Sequence, residues 1–389
     1  MGSNPMNNRK NKRAVLALTA TQALSLPIAA FYLPVHVTIS LGFSGAELGL
    51  ALSVYAATAL LAALPVGVSA DRMSPRRLLA TGLLFHATGA VGLALSTTLA
   101  TVLVSFVAFG VSVNLFRQVL DAVWYRGGDC DNTDVAARFG PFLAARWAGM
   151  ATGLMVGGIA YHLLGFPITM LAAASLVVPM SGLALLTPAV PLASSSIRDY
   201  VRDLANPRVL FFALWIFLYT SHWGAETTHY GLFLRNNLEL DLPWMGAYMA
   251  GEFLTLGLAT WLAGRTRAAR EGSVKLAALG LALSGITHVA MTWPEPWISF
   301  LFRMIHGAGD GILTVVIYAS VGRLFRLERI GGLAGVIMLV TMLASATGAL
   351  VYGPMGEAWG HGAPLVTSGL LTVLLIPLLI VGRHLSKTS

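Results

Sequence analysis

Some twelve apolar stretches, each roughly 18 to 25 residues long, succeed one another along this 389-residue chain with only short polar breaks between them. At a rise of 1.5 Å per residue, a helix of that length crosses a hydrocarbon layer about 30 Å thick. The approximate spans are 14–38, 45–68, 77–96, 100–123, 141–164, 167–188, 209–234, 243–263, 275–293, 298–321, 331–355 and 363–382. No soluble core could hide so much apolar surface in a chain that is 56% hydrophobic and 11% charged. The expected fold class is therefore an all-α polytopic membrane protein with twelve transmembrane helices. Glycine and proline recur inside the spans, where membrane helices use them for close packing and bending.

Charge placement predicts the orientation, because Lys and Arg stay on the cytoplasmic side during insertion. Basic residues cluster at Arg9 to Arg13, Arg72 to Arg77, Arg126 to Arg146, Arg198 to Arg208, Arg265 to Lys275, Arg323 to Arg329, and at Arg383 and Lys387. These clusters hold 22 of the 25 basic residues and fall on every second loop. Both termini are thus expected in the cytoplasm, with the protein in the inner, or plasma, membrane. The opposite loops carry Glu47, Glu239, Asp241, Glu295 and Glu357, with Arg235 the one base among them. Topology accounts for the net charge of +8, so no nucleic-acid partner is implied. A single cysteine, Cys130, excludes an internal disulfide. The first stretch is too long for a signal-peptide core and is kept as the first spanning helix.

The longest polar interruption runs from about Leu192 to Arg208 and divides the stretches six and six. The domain organisation that follows is a disordered basic cytoplasmic tail over 1–13, a six-helix bundle over 14–190, a cytoplasmic linker over 191–208, a second six-helix bundle over 209–382 and a tail over 383–389. Within the linker, Ser194 to Ser196 can cap a short amphipathic helix that carries Asp199, Arg202 and Asp203 along the membrane surface.

Between the second and third stretches stands Gly67-Val68-Ser69-Ala70-Asp71-Arg72-Met73-Ser74-Pro75-Arg76-Arg77, which reads GxxADRxxPRR. It resembles the signature loop between helices 2 and 3 of the major facilitator superfamily of secondary transporters, and the span count and its halving agree with that resemblance. The resemblance implies two six-helix bundles, alternating access and a solute site near midplane between the halves. It also implies that Gly67, Asp71, Arg72 and Arg76 act as a cytoplasmic latch that stabilises the outward-open state. The residues suit that task. Gly67 permits close helix approach, and Asp71 can meet the positive end of the helix that starts at Gly331-Gly332. Asp121 can pair with the loop arginines or with Arg117 one turn away. The chain departs from the pattern at Ser74, where glycine is usual, and at Pro75, where a base often stands. The matching loop of the second half, Gly264 to Arg270, is basic but lacks the acid.

The fifth stretch spells GxxxGxxxGG at Gly149, Gly153, Gly157 and Gly158. This spacing resembles the helix-5 motif of proton-coupled drug antiporters, with Leu154 where that motif has proline. It is equally the general spacing by which membrane helices pack closely.

Ionisable residues inside the spans are candidate functional groups, because a charge near the bilayer centre costs about 2.5 to 3.5 kcal/mol even on lenient scales. They concentrate in the second half. The seventh stretch carries His222, Glu226 and His229, whose steps of four and three share one helical face. The eighth carries Glu252 near midplane, and the tenth carries Arg303, His306 and Asp310 on one face. Glu226 and Arg303 fall nearer the outside and can pair as a gate or hold a substrate charge. Glu252 and Asp310 fall near the middle, where a buried acid's proton depends on which side is open, and His306 can relay that proton. The set resembles the proton-coupling network of lactose-permease-like symporters, although Asp310 follows the histidine by four residues rather than three. The run from Ser221 to Tyr230 with Glu252 is also similar to nucleoside and phenylpropionate importers.

Substrate contacts are expected from Arg303, His222, His229, Trp223, Tyr219, Tyr32 and Gln22, which can line a cavity for a partly aromatic or polar solute. The function read is a proton-coupled transporter of a small polar or ionised organic solute, monomeric and without a cofactor. Three other readings stay open: a proton-antiport exporter of drugs or metabolites, a purely structural network of buried pairs, and a carrier of a divalent metal or its chelate. The last rests on His222, Glu226 and His229, whose spacing suits zinc or iron. His36, His86, His162 and His288 read as packing or interfacial residues. An enzyme is not expected, since the sequence has no His-Glu-x-x-His, no GxSxG and no phosphate-binding loop.

Overall fold

Helix α1 (Arg9–Val35) begins before its apolar stretch does: Asn8 caps it by accepting the amide of Lys10 at 2.9 Å, and Arg9, Lys10, Lys12 and Arg13 form its first turns. From Arg9 onward, then, the tail expected to be disordered is helical. Arginine and lysine are good helix formers once an asparagine satisfies the first amides. The computed structural model describes residues 8–127, 135–190 and 197–379; Cys130, the cap expected from Ser194 to Ser196, Arg383 and Lys387 lie outside the described residues.

Helix α2 (Gly45–Arg72) starts on a capping box in which Ser44 and Glu47 exchange side-chain-to-backbone bonds. Helix α3 (Pro75–Leu95) opens on Pro75, where a missing N–H costs nothing, and α4 (Leu99–Arg126) is capped by Thr98. A helical run of 51 residues, Val135–Leu185, follows. It turns at Gly165, whose φ of 78° is open to glycine and strained for other residues. Pro167, just beyond, offers no backbone donor to carry the helix through the turn. The turn separates α5 (135–164) from α6 (166–185). The amphipathic helix expected in the linker is present as Ile197–Leu204, bent by 72° from the span that follows. The remaining spans are α7 (Pro207–Asn236), α8 (Leu242–Gly264), α9 (Val274–Ala290), α10 (Pro296–Leu324), α11 (Ile330–Trp359) and α12 (Gly362–Leu379).

Among the described residues, eight helices are long and apolar enough to cross a membrane, and nine when the bent pair is counted as one span. One of these is the run that Gly165 divides, and α8, with 23 residues, and α9, with 17, stand beside them. The helical passages are thus the twelve that the apolar stretches predict. Their outward faces are apolar: Leu61, Val178 and Leu350 are 74%, 76% and 78% exposed. In water each such side chain would forfeit about 1.5 to 3 kcal/mol of burial, a loss that lipid removes.

Two compact units share the chain. The first comprises α1 to α4 with residues 145–190 and 327–339, and the second comprises residues 135–144, 197–326 and 340–379. In the first, Tyr32, Phe106, Phe109, Phe166 and Met170 are at most 1% exposed in one apolar core. The glycine stripe of α5 lies against α1 in the same unit. A Cβ on Gly149 would stand 2.2 Å from the carbonyl oxygen of Ala20, and one on Gly153 would stand 2.0 Å from that of Leu24. Close packing of two backbones is the visible use of this stripe. In the second unit α10 packs between α8 and α9, and α9 packs in turn on α12. Short side chains allow this approach, with Ala136, Ala263, Ala269, Val315 and Ala319 in one core.

Candidate functional site

Within the second unit, α7, α8, α9 and α10 bring three carboxylates, one guanidinium and three imidazoles into one buried cluster. Helix α10 supplies its axis, because Arg303, His306 and Asp310 share a helix face and are 0%, 0% and 4% exposed. Arg303 bridges two acids: its Nη1 donates to Glu226 Oε1 on α7 and its Nη2 pairs with Glu252 Oε2 on α8. The guanidinium also lies over the ring of Tyr230, 4.1 Å from its centroid. His306 turns Nε2 toward Glu226 Oε1 at 3.2 Å and Asp310 Oδ2 at 3.7 Å. His222 Nε2 lies 3.5 Å from that same Asp310 oxygen, and His288 on α9 sets Nδ1 3.7 Å from Glu226 Oε1.

The three imidazoles are oriented from behind. His222 Nδ1 donates to the carbonyl of Tyr219 at 2.6 Å, His306 Nδ1 donates to that of Ser284 at 2.9 Å, and His288 Nε2 faces Ser368 Oγ on α12 at 3.2 Å. Their other nitrogens, His222 Nε2, His306 Nε2 and His288 Nδ1, make no aligned hydrogen bond among the described residues. One ring nitrogen from each of the three histidines and a Glu226 carboxylate oxygen lie within 4.8 Å of one another, which makes these residues the group able to hold a cation. Three ionised carboxylates against one guanidinium leave a deficit of two positive charges. In a buried place that deficit must be filled by protons or by a bound cation.

The structure brings together six residues singled out in the sequence: His222, Glu226, Glu252, Arg303, His306 and Asp310. It differs on two histidines. Residues Glu226–Tyr230 form a π-helical turn, which widens the helix and carries His229 off the face shared by His222 and Glu226. His229 is set instead against His361, Nδ1 to Nδ1 at 3.1 Å, and donates from Nε2 to the carbonyl of Gly353 at 3.0 Å. The triad of His222, Glu226 and His229 expected for a metal is therefore not assembled. His288, expected to be a packing residue, stands in the cluster in its place. A lone histidine on an apolar span carries no spacing signal, and His288 is found only through the packing of α9 on α10.

Tyr219 and Trp223 flank the cluster. Tyr219 stacks on Trp215 at 5.7 Å and lies 5.0 Å from the His222 ring, and Trp223 meets that ring edge-on at 6.0 Å. Tyr32 and Gln22 belong to the first unit, where both are buried and the Tyr32 hydroxyl donates to the carbonyl of Leu154 at 2.5 Å.

The signature loop is built inside the first unit. Asp71, fully buried, accepts the amides of Gly331 at 2.8 Å and Gly332 at 2.6 Å at the start of α11, and it pairs with Arg126. Free amides and the helix dipole both favour an anion at that position. A Cβ on Gly67 would fall 2.5 Å from the carbonyl oxygen of Gly331 and 2.7 Å from Gln118 Oε1, so this approach requires glycine. Arg126 also donates to the carbonyls of Ala70 and Leu327, each at 3.1 Å. Asp121, expected to meet Arg117 or the loop arginines, makes an ion pair with Arg146 of α5 at 2.5 Å. Spacing within one helix cannot reveal a partner that arrives from another. Arg117 is half-buried, Arg72 is exposed, and Arg76 donates from Nε to the carbonyl of Thr187 at 2.9 Å.

The family model described as Major Facilitator Superfamily matches residues 15–298. Several solved structures superpose on nearly the whole chain. The human organic anion transporter MFSD10 (TETRAN) does so with a TM-score of 0.77 at 18% identity, over 95% of this chain and 99% of its own. For the nucleoside transporter NupG the values are 0.72, 15%, 95% and 99%, and for the E. coli fucose:proton symporter FucP they are 0.73, 13%, 95% and 98%. At such identities the likeness is one of fold. No curated protein matches the chain.

Proposed function

The chain belongs to the major facilitator superfamily, and from that premise we propose that it is a proton-coupled secondary transporter moving a small polar or ionised organic solute by alternating access. The observation that carries this reading is the unbalanced buried cluster: three carboxylates against Arg303, deep in a chain of apolar spans. Two protons neutralise it. They have places to sit where His306 and His222, each with Nδ1 committed to a backbone carbonyl, turn Nε2 toward Glu226 and Asp310. A conformation that opens the cluster to one side of the membrane lets protons leave on that side alone, and flux then follows the proton gradient.

In this reading Glu252, Asp310, His306 and Glu226 hold the coupling protons, and Arg303 fixes the acids. Substrate contacts come from the wall formed by Arg303, His222, Tyr219 and Trp223. The bonds from Asp71 to Gly331 and Gly332, with Gly67, Arg72, Arg76, Arg117 and Asp121 around them, serve as the cytoplasmic gate. The alternation of basic loops supports an inner-membrane location with both termini in the cytoplasm. FucP, one of the fold relatives, is a proton symporter, which is compatible with this reading through the fold alone.

The test is flux into proteoliposomes of a mixed panel of metabolites and drugs, with and without an imposed pH gradient, for wild type, Glu252→Gln and Asp310→Asn. Gradient-driven flux that either substitution abolishes is the expected result, and the gradient direction that drives it separates import from drug or metabolite export. Flux that ignores the gradient and survives both substitutions would overturn the proposal.

A further inference from the structure

We propose that the cluster in the second unit is also a binding site for one divalent first-row transition-metal cation, held by His222 Nε2, His288 Nδ1, His306 Nε2 and a Glu226 carboxylate oxygen. The four residues come from three helices and offer one ligand atom each within 4.8 Å of one another. A tetrahedral ion about 2.0 to 2.1 Å from each ligand places its ligands about 3.4 Å apart. Glu226 Oε1 is already 3.2 Å from His306 Nε2 and 3.7 Å from His288 Nδ1. An edge of the full 4.8 Å needs to close by about 1.4 Å, within reach of a rotation of an imidazole.

The hydrogen bonds behind the three rings point to the same ion. Metal-binding histidines characteristically commit their other nitrogen to a carbonyl, carboxylate or hydroxyl that fixes the ring. All three rings here do so, through the carbonyls of Tyr219 and Ser284 and the hydroxyl of Ser368. Their converging nitrogens make no aligned hydrogen bond among the described residues, and the three histidines are at most 1% exposed. Neutral rings whose other nitrogen already donates would set a lone pair against the Glu226 and Asp310 oxygens they face, and a cation between them relieves that repulsion.

Charge settles the kind of ion. Arg303 alone would repel a cation from Glu226, but Glu252 lies on its other arm and Asp310 lies against His222 and His306. Three carboxylates less one guanidinium, with neutral imidazoles, match one divalent cation. Three nitrogens and one oxygen suit zinc, iron, cobalt or nickel; calcium and magnesium take oxygen ligands. The ion fills the charge deficit that protons fill in the transport reading. It shares that reading's cluster, and the test below reads binding alone, so either can fail without the other.

The probe is Co2+ added to the full-length protein in lipid nanodiscs, because a tetrahedral cobalt site gives strong visible absorption and the hydrated ion does not. One equivalent of Co2+ should produce that absorption, and Zn2+ should displace it. His288→Ala should abolish the absorption, while the exposed His162→Ala should leave it intact. Ser368→Ala removes only the hydroxyl behind His288 and should weaken Co2+ binding about tenfold, which keeps the test valid if His288→Ala fails to fold. Absence of tetrahedral absorption in wild type, or equal binding by wild type and the His288 and Ser368 variants, would overturn the proposal.

Discussion

The carboxylate of Asp71 holds the backbone amide of Gly331 at 2.8 Å across 260 residues of sequence. The same side chain takes the amide of Gly332 and the guanidinium of Arg126, so one buried charge serves three donors. Asp71→Asn keeps the size and removes the charge. Removing one member of a buried pair costs about 3 to 5 kcal/mol, and the melting temperature in detergent should fall by several degrees. Adding Arg126→Gln should recover part of the loss, because it removes the stranded cation. An unchanged melting temperature for the single variant would show that the charge is not what holds α11 to this loop.

Two glycines of the first unit should respond in opposite directions. A Cβ on Gly153 would meet the backbone carbonyl of Leu24 at 2.0 Å, which no side-chain rotation relieves, whereas a Cβ on Gly182 meets nothing within 4 Å. Gly153→Ala should cost about 1 to 3 kcal/mol through overpacking. Gly182→Ala should be neutral or stabilising by up to about 1 kcal/mol through helix propensity. Thermal unfolding of both variants checks this, and equal shifts would contradict the close packing of α5 on α1.

The spans were legible in the sequence because bilayer thickness sets the length of an apolar run, and that length survives any detail of packing. Asp71 and Gly331 were legible as a pair because each advertises half of the bond: an acid directly after one helix, and paired glycines with free amides at the start of another. Glu226, Glu252, Arg303 and Asp310 stood out because ionisable residues are conspicuous in apolar surroundings. Which partner each one meets was much less legible. His229 was misplaced because helical spacing assumes a regular turn, and the π turn over Glu226–Tyr230 breaks that assumption. His288, Ser368 and Arg146 were hidden for another reason: each meets a partner on a different helix, and only packing between helices decides that.

His361, in the loop between α11 and α12, is the group at which a pH effect on stability should appear. Burial, and then the neighbouring His229, push its pKa below the ordinary histidine value. One set of neutral tautomers satisfies its surroundings: Asn236 Nδ2 donates to His361 Nε2, His361 Nδ1 donates to His229 Nδ1, and His229 Nε2 donates to Gly353 O. A second proton on His361 sets its Nε2–H against the Asn236 amide N–H. The folded state prefers neutral His361, so its contribution is complete above the unfolded pKa of about 6.5 and is lost as pH falls through the lower folded value. The melting temperature of wild type should therefore drop more steeply than that of His361→Gln between about pH 7 and pH 5. Parallel curves would exclude His361 as the titrating group.

Arg303 is the fixed positive charge among the acids of the cluster, and the count of charges, more than any single contact, should decide what its replacement does. Arg303→Gln leaves three carboxylates with no guanidinium, and by the cost of breaking a buried pair it should lose about 3 to 5 kcal/mol of stability. Arg303→Lys keeps the charge, but a single ammonium cannot span Glu226 and Glu252 as the planar fork does, so it should fall between wild type and Arg303→Gln. Arg303→Gln combined with Glu252→Gln removes one charge of each sign and restores the original deficit. If balance governs the cluster, the double variant should be more stable than the sum of the single effects by about 1 to 3 kcal/mol. Strict additivity in that cycle would mean that Glu252 and Arg303 act separately, and the deficit of two charges would lose its claim to be what the protons fill.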